Sequence, residues 1–364
     1  MGKVSRVGRP RKMWLGACVC LFTTLAGCAS VGPRSLKADE VEYARALGEA
    51  KKREILALIV GLRYADLPGF LNVSQIIAAY TFDAAGGLVA NTHPDPGGPG
   101  AGATGTLSSS NHPTFTFTPT TGEYFARAYI HPLAPALILP LADSGIPIDL
   151  LLRIGVQSIG RLQNATMLGG PSGNGSPEFF ELLRVLRRLQ LAGELSIRYK
   201  NGKSDVVTIS LGVTSGSPAP SIVSDVSKAR ALLNLPSAGG RDFEVVFGTA
   251  AKDPAQIPLI TRSVLAILSN LGGEIAVPAA DVERGATKRA IGLVGGETRP
   301  TLVVRATSRA PNTAYVAIPY GSSTFWIDES DFDSKYALTV VQDLMALAEV
   351  PDQTHAPVVT VPAN

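Results

Sequence analysis

Apolar residues recur at helical spacing near the start of the chain. Within residues 38–68, Ile55, Leu58, Ile59 and Leu62 fall on one face of a 3.6-residue period. Charged residues occupy nine of the 17 positions of this segment that precede Ile55. This pattern predicts a long N-terminal helix that packs on the rest of the protein through one face.

Further helical patterns follow in the middle and at the end of the chain. Apolar runs broken by prolines predict helices over 122–169, and residues 177–193 predict another helix, with Ser176 at its N-cap. The same spacing predicts helices over 256–273 and 335–350.

Alternating positions predict strands between these helices. The alternation over 114–118 predicts a strand that pairs with residues 76–86, and residues 194–212 predict a hairpin around Asn201-Gly202. Other strands are predicted at 241–248, 301–308, 313–320 and 323–328. Helices mixed with short antiparallel strands predict an α+β fold that ends in a β-meander capped by a helix.

Composition divides the chain into regions. Residues 85–113 are rich in Gly, Pro and Ser and predict a disordered surface loop within a mostly helical region, 37–190. An α+β region is predicted over 194–350, and a flexible tail over 351–364.

The first residues predict export. Residues 1–12 carry five basic residues and no acid, and residues 13–27 are uncharged, which is the length of a signal-peptide core. The end of this run, TLAGCAS, resembles the lipobox of bacterial lipoproteins. That resemblance implies removal of residues 1–27, a diacylglyceryl group on the Cys28 thiol, an acylated new amino terminus and a tether over 28–36. A secretory signal cut elsewhere and an uncleaved anchor helix are the alternatives.

Removal of the signal changes the charge and the cysteine count. Without residues 1–27, 28 basic residues remain against 30 acidic ones, so the net charge changes from +3 to −2. A basic surface for nucleic acid is therefore not expected. Cys18 and Cys20 leave with the signal, so the mature chain keeps Cys28 alone and no disulfide is expected.

Most of the mature chain resembles a group of uncharacterised proteobacterial lipoproteins. The segments that carry the resemblance are ILALIVGLRYADLPGFLNVSQIIAAYTF, HPTFTFTPTTGEYFARAYIHPL, DLLLRIGVQSIGRLQNA and FWIDESDFDSK. The resemblance implies an outer-membrane lipoprotein facing the periplasm and supplies no catalytic residue. Ala29 and Ser30 after Cys28 agree with this sorting, because an aspartate is the usual signal for inner-membrane retention.

Two groups of charged residues are candidate sites. Asp328, Asp331 and Asp333 crowd before the last predicted helix, where an aspartate can cap the helix and the others can contact a cation or a partner. The second group is a predicted basic face at helical spacing, which either is solvated or contacts lipid headgroups or an acidic partner. It consists of Arg184, Arg187 and Arg188.

No local motif for catalysis, metal binding or a cofactor is present, and no metal or cofactor is expected. The favoured function is a binding or assembly module of the cell envelope, without enzymatic activity, that has a protein partner. The alternative is an envelope hydrolase whose active site assembles from distant residues such as Asp328, Asp331 and Glu297.

Overall fold

The computed structural model describes residues 31–66, 68–77, 80–91, 100–111, 114–119, 121–166, 173, 175–200, 205–213, 216, 219–237, 239–293 and 297–349. The predicted signal peptide, Cys28, the first part of the tether, the turn at Asn201-Gly202 and the tail 351–364 lie outside these residues. The predicted α+β class is confirmed: helices pack with a six-stranded and a three-stranded sheet around a shared hydrophobic core.

The predicted N-terminal helix is α1, Val31–Arg63. Its two halves differ, because residues 41–50 are almost all exposed while Ile55, Leu56 and Ile59 are fully buried. The second half therefore joins the core, whereas residues 41–50 lie at the surface.

Backbone hydrogen bonds close the C-terminal end of α1. Ala65 has a φ of +60°, and the N–H groups of Ala65 and Asp66 donate to the carbonyls of Leu62 and Gly61 at 3.1 and 3.0 Å. These two bonds form a Schellman motif, in which a left-handed residue closes the last helical turn. The Tyr64 hydroxyl adds a 2.6 Å bond to Asp281, which lies far along the chain.

The four following strands form a feature that we call the ribbon. These strands are β1, Leu71–Ile77; β2, Tyr80–Asn91; β3, Gly100–Asn111; and β4, Thr114–Pro119. β1 pairs with β4 and β2 with β3, both antiparallel. The predicted pairing of 114–118 is correct for Ile76 and Ile77, whereas Tyr80 and the residues after it pair with β3 instead.

Within the predicted disordered loop 85–113 the structure has strands over 85–91 and 100–111, while residues 92–99, 112 and 113 lie outside the described residues. The composition argument considered only how little apolar surface these residues can bury. A hairpin also pairs its backbone N–H and C=O groups across the strands, and small residues permit this pairing. The register runs unbroken from Tyr80 opposite Asn111 to Asn91 opposite Gly100.

Short helices fill the next segment. They are α2, Gly122–Phe125, which continues as a π-helical turn over Ala126–Ile130; α3, Pro135–Ile138, which continues as a 3-10 turn over Leu139–Ala142; and α4, Ile148–Gly155. The helix predicted beyond residue 155 is wrong, because Val156–Ile159 is strand β5 and Leu162–Gln163 is strand β6. Short apolar runs fit both periods, and pairing with a neighbouring strand decides between them.

The six-stranded sheet takes strands from both predicted regions. Its order is β6-β5-β10-β9-β8-β7, where the later strands are β7, Leu195–Lys200; β8, Val206–Leu211; β9, Asp242–Phe247; and β10, Gln256–Thr261. The predicted β7–β8 hairpin is confirmed, with Leu195 opposite Leu211. The helix predicted over 256–273 begins only at Val264. Residues 256–261 form β10 instead, which pairs parallel to β9 and antiparallel to β5.

Two helices lie between strands of this sheet along the chain. Helix α5, Pro177–Leu191, is confirmed, and α6 is Pro220–Leu232. Ser176 stands at the N-cap of α5 as predicted, but its hydroxyl does not cap the helix. The hydroxyl instead accepts a bond from Gln163 N–H and donates one to Gln163 O, so it holds β6 to the start of α5.

The C-terminal part contains α7, Val264–Glu274; α8, Ala279–Glu283; β11, Arg305–Thr307; β12, Ala314–Tyr320; β13, Ser323–Asp328; and α9, Phe332–Ala348. The order of the three-stranded sheet is β11-β13-β12, so the predicted meander, which needs β12 in the centre, is wrong. The capping helix is confirmed as α9. Central β13 places Phe325, which is fully buried, in the core.

Among the helices of the described residues, none is by itself long and apolar enough to cross a membrane. The bent pair Gly122–Ile130 and Pro135–Ala142 reaches that length and composition only when its two parts are taken together.

Candidate functional site

The predicted basic face lies on α5, and its outer arginines both have acidic partners within the chain. Arg184 Nη1 lies 3.1 Å from Glu297 Oε1. Arg188 donates two bonds to Asp225 on α6, at 2.8 and 2.6 Å. Hydrogen bonds from Arg188 lower the pKa of Asp225, and the same bonds raise the pKa of Arg188. The two arginines therefore fasten α5 to its neighbours.

Arg187 is the middle arginine of this face. Its Nη1 donates to Gln190 Oε1 at 2.7 Å, and its Nε lies 3.8 Å from Asp149 Oδ1. Burial raises the pKa of Asp149, against the opposing effects of the Leu150 N–H and of Arg187. The three arginines are thus balanced by nearby carboxylates rather than gathered into an unpaired positive surface.

Glu297, a residue of the predicted hydrolase alternative, is held by two arginines. Arg153 Nη1 donates to its Oε2 at 2.5 Å, and Arg184 reaches its other oxygen. Arg153 also donates to the carbonyl of Arg299 at 3.2 Å and lies 3.9 Å from Glu274. Arg153 on α4 therefore joins α5, α7 and the segment before β11.

Asp331, just before α9, and Asp333, in its first turn, contact an arginine of the same chain. Arg299 Nη2 donates to both oxygens of Asp331 at 2.9 and 3.0 Å, and Arg299 Nη1 reaches Asp333 at 2.9 Å. The hydroxyl of Ser334, which is fully buried, donates to Asp331 at 2.7 Å. It accepts bonds from Arg299 and from the Val303 N–H. Asp331 and Asp333, predicted to contact a cation or a partner, contact Arg299 of the same chain.

Asp331 also caps α9, as predicted, because its Oδ1 accepts a 3.1 Å bond from the Ser334 N–H. Burial alone would raise the pKa of Asp331, but the bonds from Ser334 and Arg299 outweigh it and the pKa is lowered. Asp328 stands apart from Arg299: the N–H and the hydroxyl of Ser330 donate to it and lower its pKa.

We call this connected group the charged cluster. Its members are Arg153, Arg184, Glu274, Glu297, Arg299, Asp331, Asp333 and Ser334. A general acid needs a carboxyl group with a raised pKa, and the lowered pKa of Asp331 keeps it ionised at neutral pH. Within the described residues, no group of three or more His, Cys, Asp or Glu side chains is placed to hold a metal ion. The cluster is suited to fastening secondary-structure elements together.

Sequence reasoning missed Arg153, Glu274, Arg299 and Ser334. Arg153 and Glu297 are 144 residues apart, and Arg299 and Asp331 are 32 apart, so no local spacing relates the partners. The one usable signal is the near balance of 33 basic and 30 acidic residues in the chain, which predicts pairing without naming the pairs.

Replacing Arg299 with methionine is expected to lower the free energy of unfolding at pH 7 by about 2 kcal/mol, because Asp331 loses two charged hydrogen bonds. The lowered pKa of Asp331 means that its stabilisation is complete above its ordinary pKa and is lost as the pH falls through the folded value. The difference between the two proteins should therefore be constant from pH 7 down to about pH 5 and shrink as the pH falls below the ordinary aspartate pKa of about 3.9.

Urea unfolding at a series of pH values measures this effect. The control is Arg198→Met, which removes a more exposed ion pair with Asp242 and should change stability little. An Arg299→Met difference that stays constant over the whole pH range would show that Asp331 is not the partner responsible.

No protein-family model, no curated protein and no solved structure matches this chain. The function is therefore argued from the sequence signals and from the geometry of the described residues.

Proposed function

We propose that this protein is a lipoprotein of the outer membrane that is anchored through lipid on Cys28 and serves as a binding or assembly module in the periplasm. The observation that carries the proposal is the lipobox-like TLAGCAS at the end of a basic and then apolar segment. A diacylglyceryl group together with an acyl chain on the new amino terminus anchors a protein stably, whereas one chain binds only marginally.

The position of α1 supports the proposal. The helix begins at Val31, three residues after Cys28, and residues 41–50 within it are almost all exposed. At 1.5 Å per residue, the stretch from Val31 to buried Ile55 spans about 35 Å. A helix of this kind suits a spacer that carries the core of the protein away from a membrane surface.

The charged cluster favours binding over hydrolysis. Of the residues named for the hydrolase alternative, Glu297 and Asp331 are held by arginines, and Asp328 accepts two bonds from Ser330. Each carboxylate is thereby kept in a fixed position by its neighbours. These three carboxylates are therefore poorly placed for the acid–base chemistry that the hydrolase alternative requires.

Replacing Cys28 with alanine is expected to abolish incorporation of labelled palmitate, to change electrophoretic mobility and to move the protein out of the membrane fraction. The reason is that the thiol is the only atom in the proposed mature chain that can take the diacylglyceryl group. Palmitate labelling and fractionation of intact cells on a density gradient measure these effects.

The matched control is Cys18→Ala with Cys20→Ala, which removes the two other thiols and should leave labelling unchanged. If Cys28→Ala remains in the membrane fraction with unchanged mobility and label, the lipoprotein proposal is wrong. If the wild-type protein sediments with the inner membrane, the outer-membrane part of the proposal is wrong.

A further inference from the structure

A polar pocket lies where β7 begins and β8 ends, on the face of the six-stranded sheet that points away from the core. Its volume is about 170 Å³, and its lining includes Glu194, Ser196, Arg198, Ser210, Gly212 and Arg241. A water molecule takes up about 30 Å³ in the liquid, so the pocket has room for a small ligand.

The strand register explains why polar side chains meet at this pocket. Ser196 lies opposite Ser210 in the β7–β8 pair. Side chains alternate between the two faces along a strand, so Ser196 and Arg198 share one face, while Leu195 and Ile197 are buried on the other. The alternation of β7 therefore places polar groups in the pocket and apolar groups in the core.

A buried arginine fixes the backbone beside the pocket. Arg230, of which 9% is exposed, donates to the carbonyls of Leu211 at 2.8 Å and of Gly240 at 3.2 Å. The N–H of Leu211 donates to the carbonyl of Arg241 at 2.8 Å. These bonds hold the end of β8 against the segment that enters β9.

Gly212 allows the side chain of Arg241 to lie across the end of β8. A Cβ atom at position 212 would lie 2.7 Å from the Cβ atom of Arg241 and 3.1 Å from its Cδ atom. Because the closest of these atoms is at the base of the side chain, rotation of its outer bonds gives little relief. The glycine and the arginine are therefore fitted to each other at the wall of the pocket.

Arg241 brings a cation to the pocket that its neighbours leave unpaired. Among the residues that the structure describes, its guanidinium and the Ser196 hydroxyl make no hydrogen bond or ion pair. The adjacent carboxylate, Asp242, is engaged by Arg198 at 2.5 Å and by the Ser210 hydroxyl at 2.6 Å. A guanidinium presents a fork of donors that matches a carboxylate, so we expect a ligand carboxylate beside Arg241.

Glu194 adds a group of the opposite kind to the lining. It follows the end of α5, where its N–H donates to the carbonyl of Leu189 at 2.9 Å, and only 6% of it is exposed. A carboxylate has about four lone-pair sites, so Glu194 can accept from a ligand in addition to its contacts within the chain. An ammonium group is attracted to this side of the pocket, whereas a second anion is repelled.

We propose that this pocket binds a small zwitterion of the α-amino acid class, whose carboxylate contacts Arg241 and Ser196 and whose ammonium group donates to Glu194. The lining supplies a partner for each charge of such a ligand. The pocket is smaller than the roughly 300–1,000 Å³ of sites for drug-sized ligands, which agrees with a ligand of this size. The proposal extends the binding role described above and does not depend on the lipid on Cys28.

Calorimetric titration of the full-length protein in detergent with each standard amino acid tests the proposal. At least one amino acid should bind. Its N-acetyl derivative and its amide should each bind at least about tenfold more weakly, because each lacks one charged group and the hydrogen bonds that the group makes. Binding of no amino acid, or equally tight binding of acetate or inorganic phosphate, would overturn the proposal.

Two pairs of variants locate the site. Arg241→Met should weaken binding at least about tenfold, whereas Arg309→Met removes an exposed arginine that does not line the pocket and should leave binding unchanged. Gly212→Ala should also weaken binding by displacing Arg241, whereas a Cβ atom in Gly240→Ala meets nothing within 4 Å and should not. Urea unfolding of Arg241→Met should match the wild type, since its guanidinium has no bond to lose. Unchanged binding by Arg241→Met would contradict the proposed site.

Discussion

Replacing Arg262 with leucine is expected to destabilise the protein by about 4 kcal/mol or more, which is a large part of the 5–15 kcal/mol typical of a folded protein. Arg262 lies just after β10 and only 4% of it is exposed. Its Nη1 donates to the carbonyl of Arg153 at 3.1 Å and, more weakly, to that of Ile154 at 3.4 Å, and its Nη2 donates to the carbonyl of Ala165.

The physical reason lies at the end of α4. The last carbonyls of a helix have no partners within the helix, and they carry a partial negative charge that favours a cation. Burial lowers the pKa of Arg262 to about 10, against the opposing effect of Glu274, so the side chain stays protonated at neutral pH. Leucine removes the buried charge but leaves the carbonyls of Ile154 and Ala165 without this donor. A buried carbonyl without a hydrogen-bond donor lowers stability by its full desolvation penalty.

Urea unfolding at pH 7 measures the effect, and two further variants make the outcome interpretable. Arg262→Lys keeps the charge with fewer, differently arranged donors and should lose about half as much stability. Arg127→Leu removes an arginine from an exposed pair with Glu123 and should change stability little. If the free energy of unfolding of Arg262→Leu lies within about 1 kcal/mol of the wild-type value, the carbonyls find other donors and the proposed role of Arg262 is wrong.

Replacing Gly272 with alanine is expected to loosen the packing of α1 on α7 and to destabilise the protein by about 2–3 kcal/mol. A Cβ atom on Gly272 would lie 2.8 Å from the carbonyl oxygen of Ile59 and 3.4 Å from the nitrogen of Arg63. Both atoms belong to the backbone of α1, so no side-chain rotation relieves the contact. Valine at this position should have a larger effect than alanine.

Gly61→Ala is the matched control, because Gly61 lies in α1 and a Cβ atom there meets nothing closer than 3.7 Å. That substitution should be neutral or slightly stabilising, since alanine favours helix more than glycine does. Urea unfolding measures both variants, and limited proteolysis should cut α1 faster in Gly272→Ala. Equal stability of Gly272→Ala and Gly61→Ala would show that the helices do not approach so closely.

Several elements were predictable because their patterns are long or bounded by turn residues. The periodic residues of α1 and α9, the cap at Asp331 and the alternating β7–β8 hairpin agree with the structure. The short runs that became β5 and β10 were assigned to helices, because an apolar run of four to six residues does not distinguish the two periods. Their strand conformation depends on each other, since β10 pairs with β5.

The candidate site was predictable only in part. The aspartates before α9 and the arginines of α5 are visible as clusters in the sequence, and their residue types indicate that they bind opposite charges. Which charges they bind depends on residues far away in the chain: Arg299 for Asp331, Glu297 for Arg184 and Asp225 for Arg188. The packing of the fold brings each partner close, and the local spacing of residues in the sequence does not indicate which residues pair.

By itself, the sequence determined where the strongly periodic helices and the β7–β8 hairpin form, because neighbouring residues decide these patterns. It also contains the segment that resembles export and lipobox signals, on which the proposed anchor depends. Only the tertiary structure decided that β5 and β10 are strands, that charged residues of the predicted site are satisfied within the chain, and that Arg262 is buried against carbonyls of α4. The reason is that strand pairing and ion pairing join residues distant in sequence, whose energies depend on the packed fold.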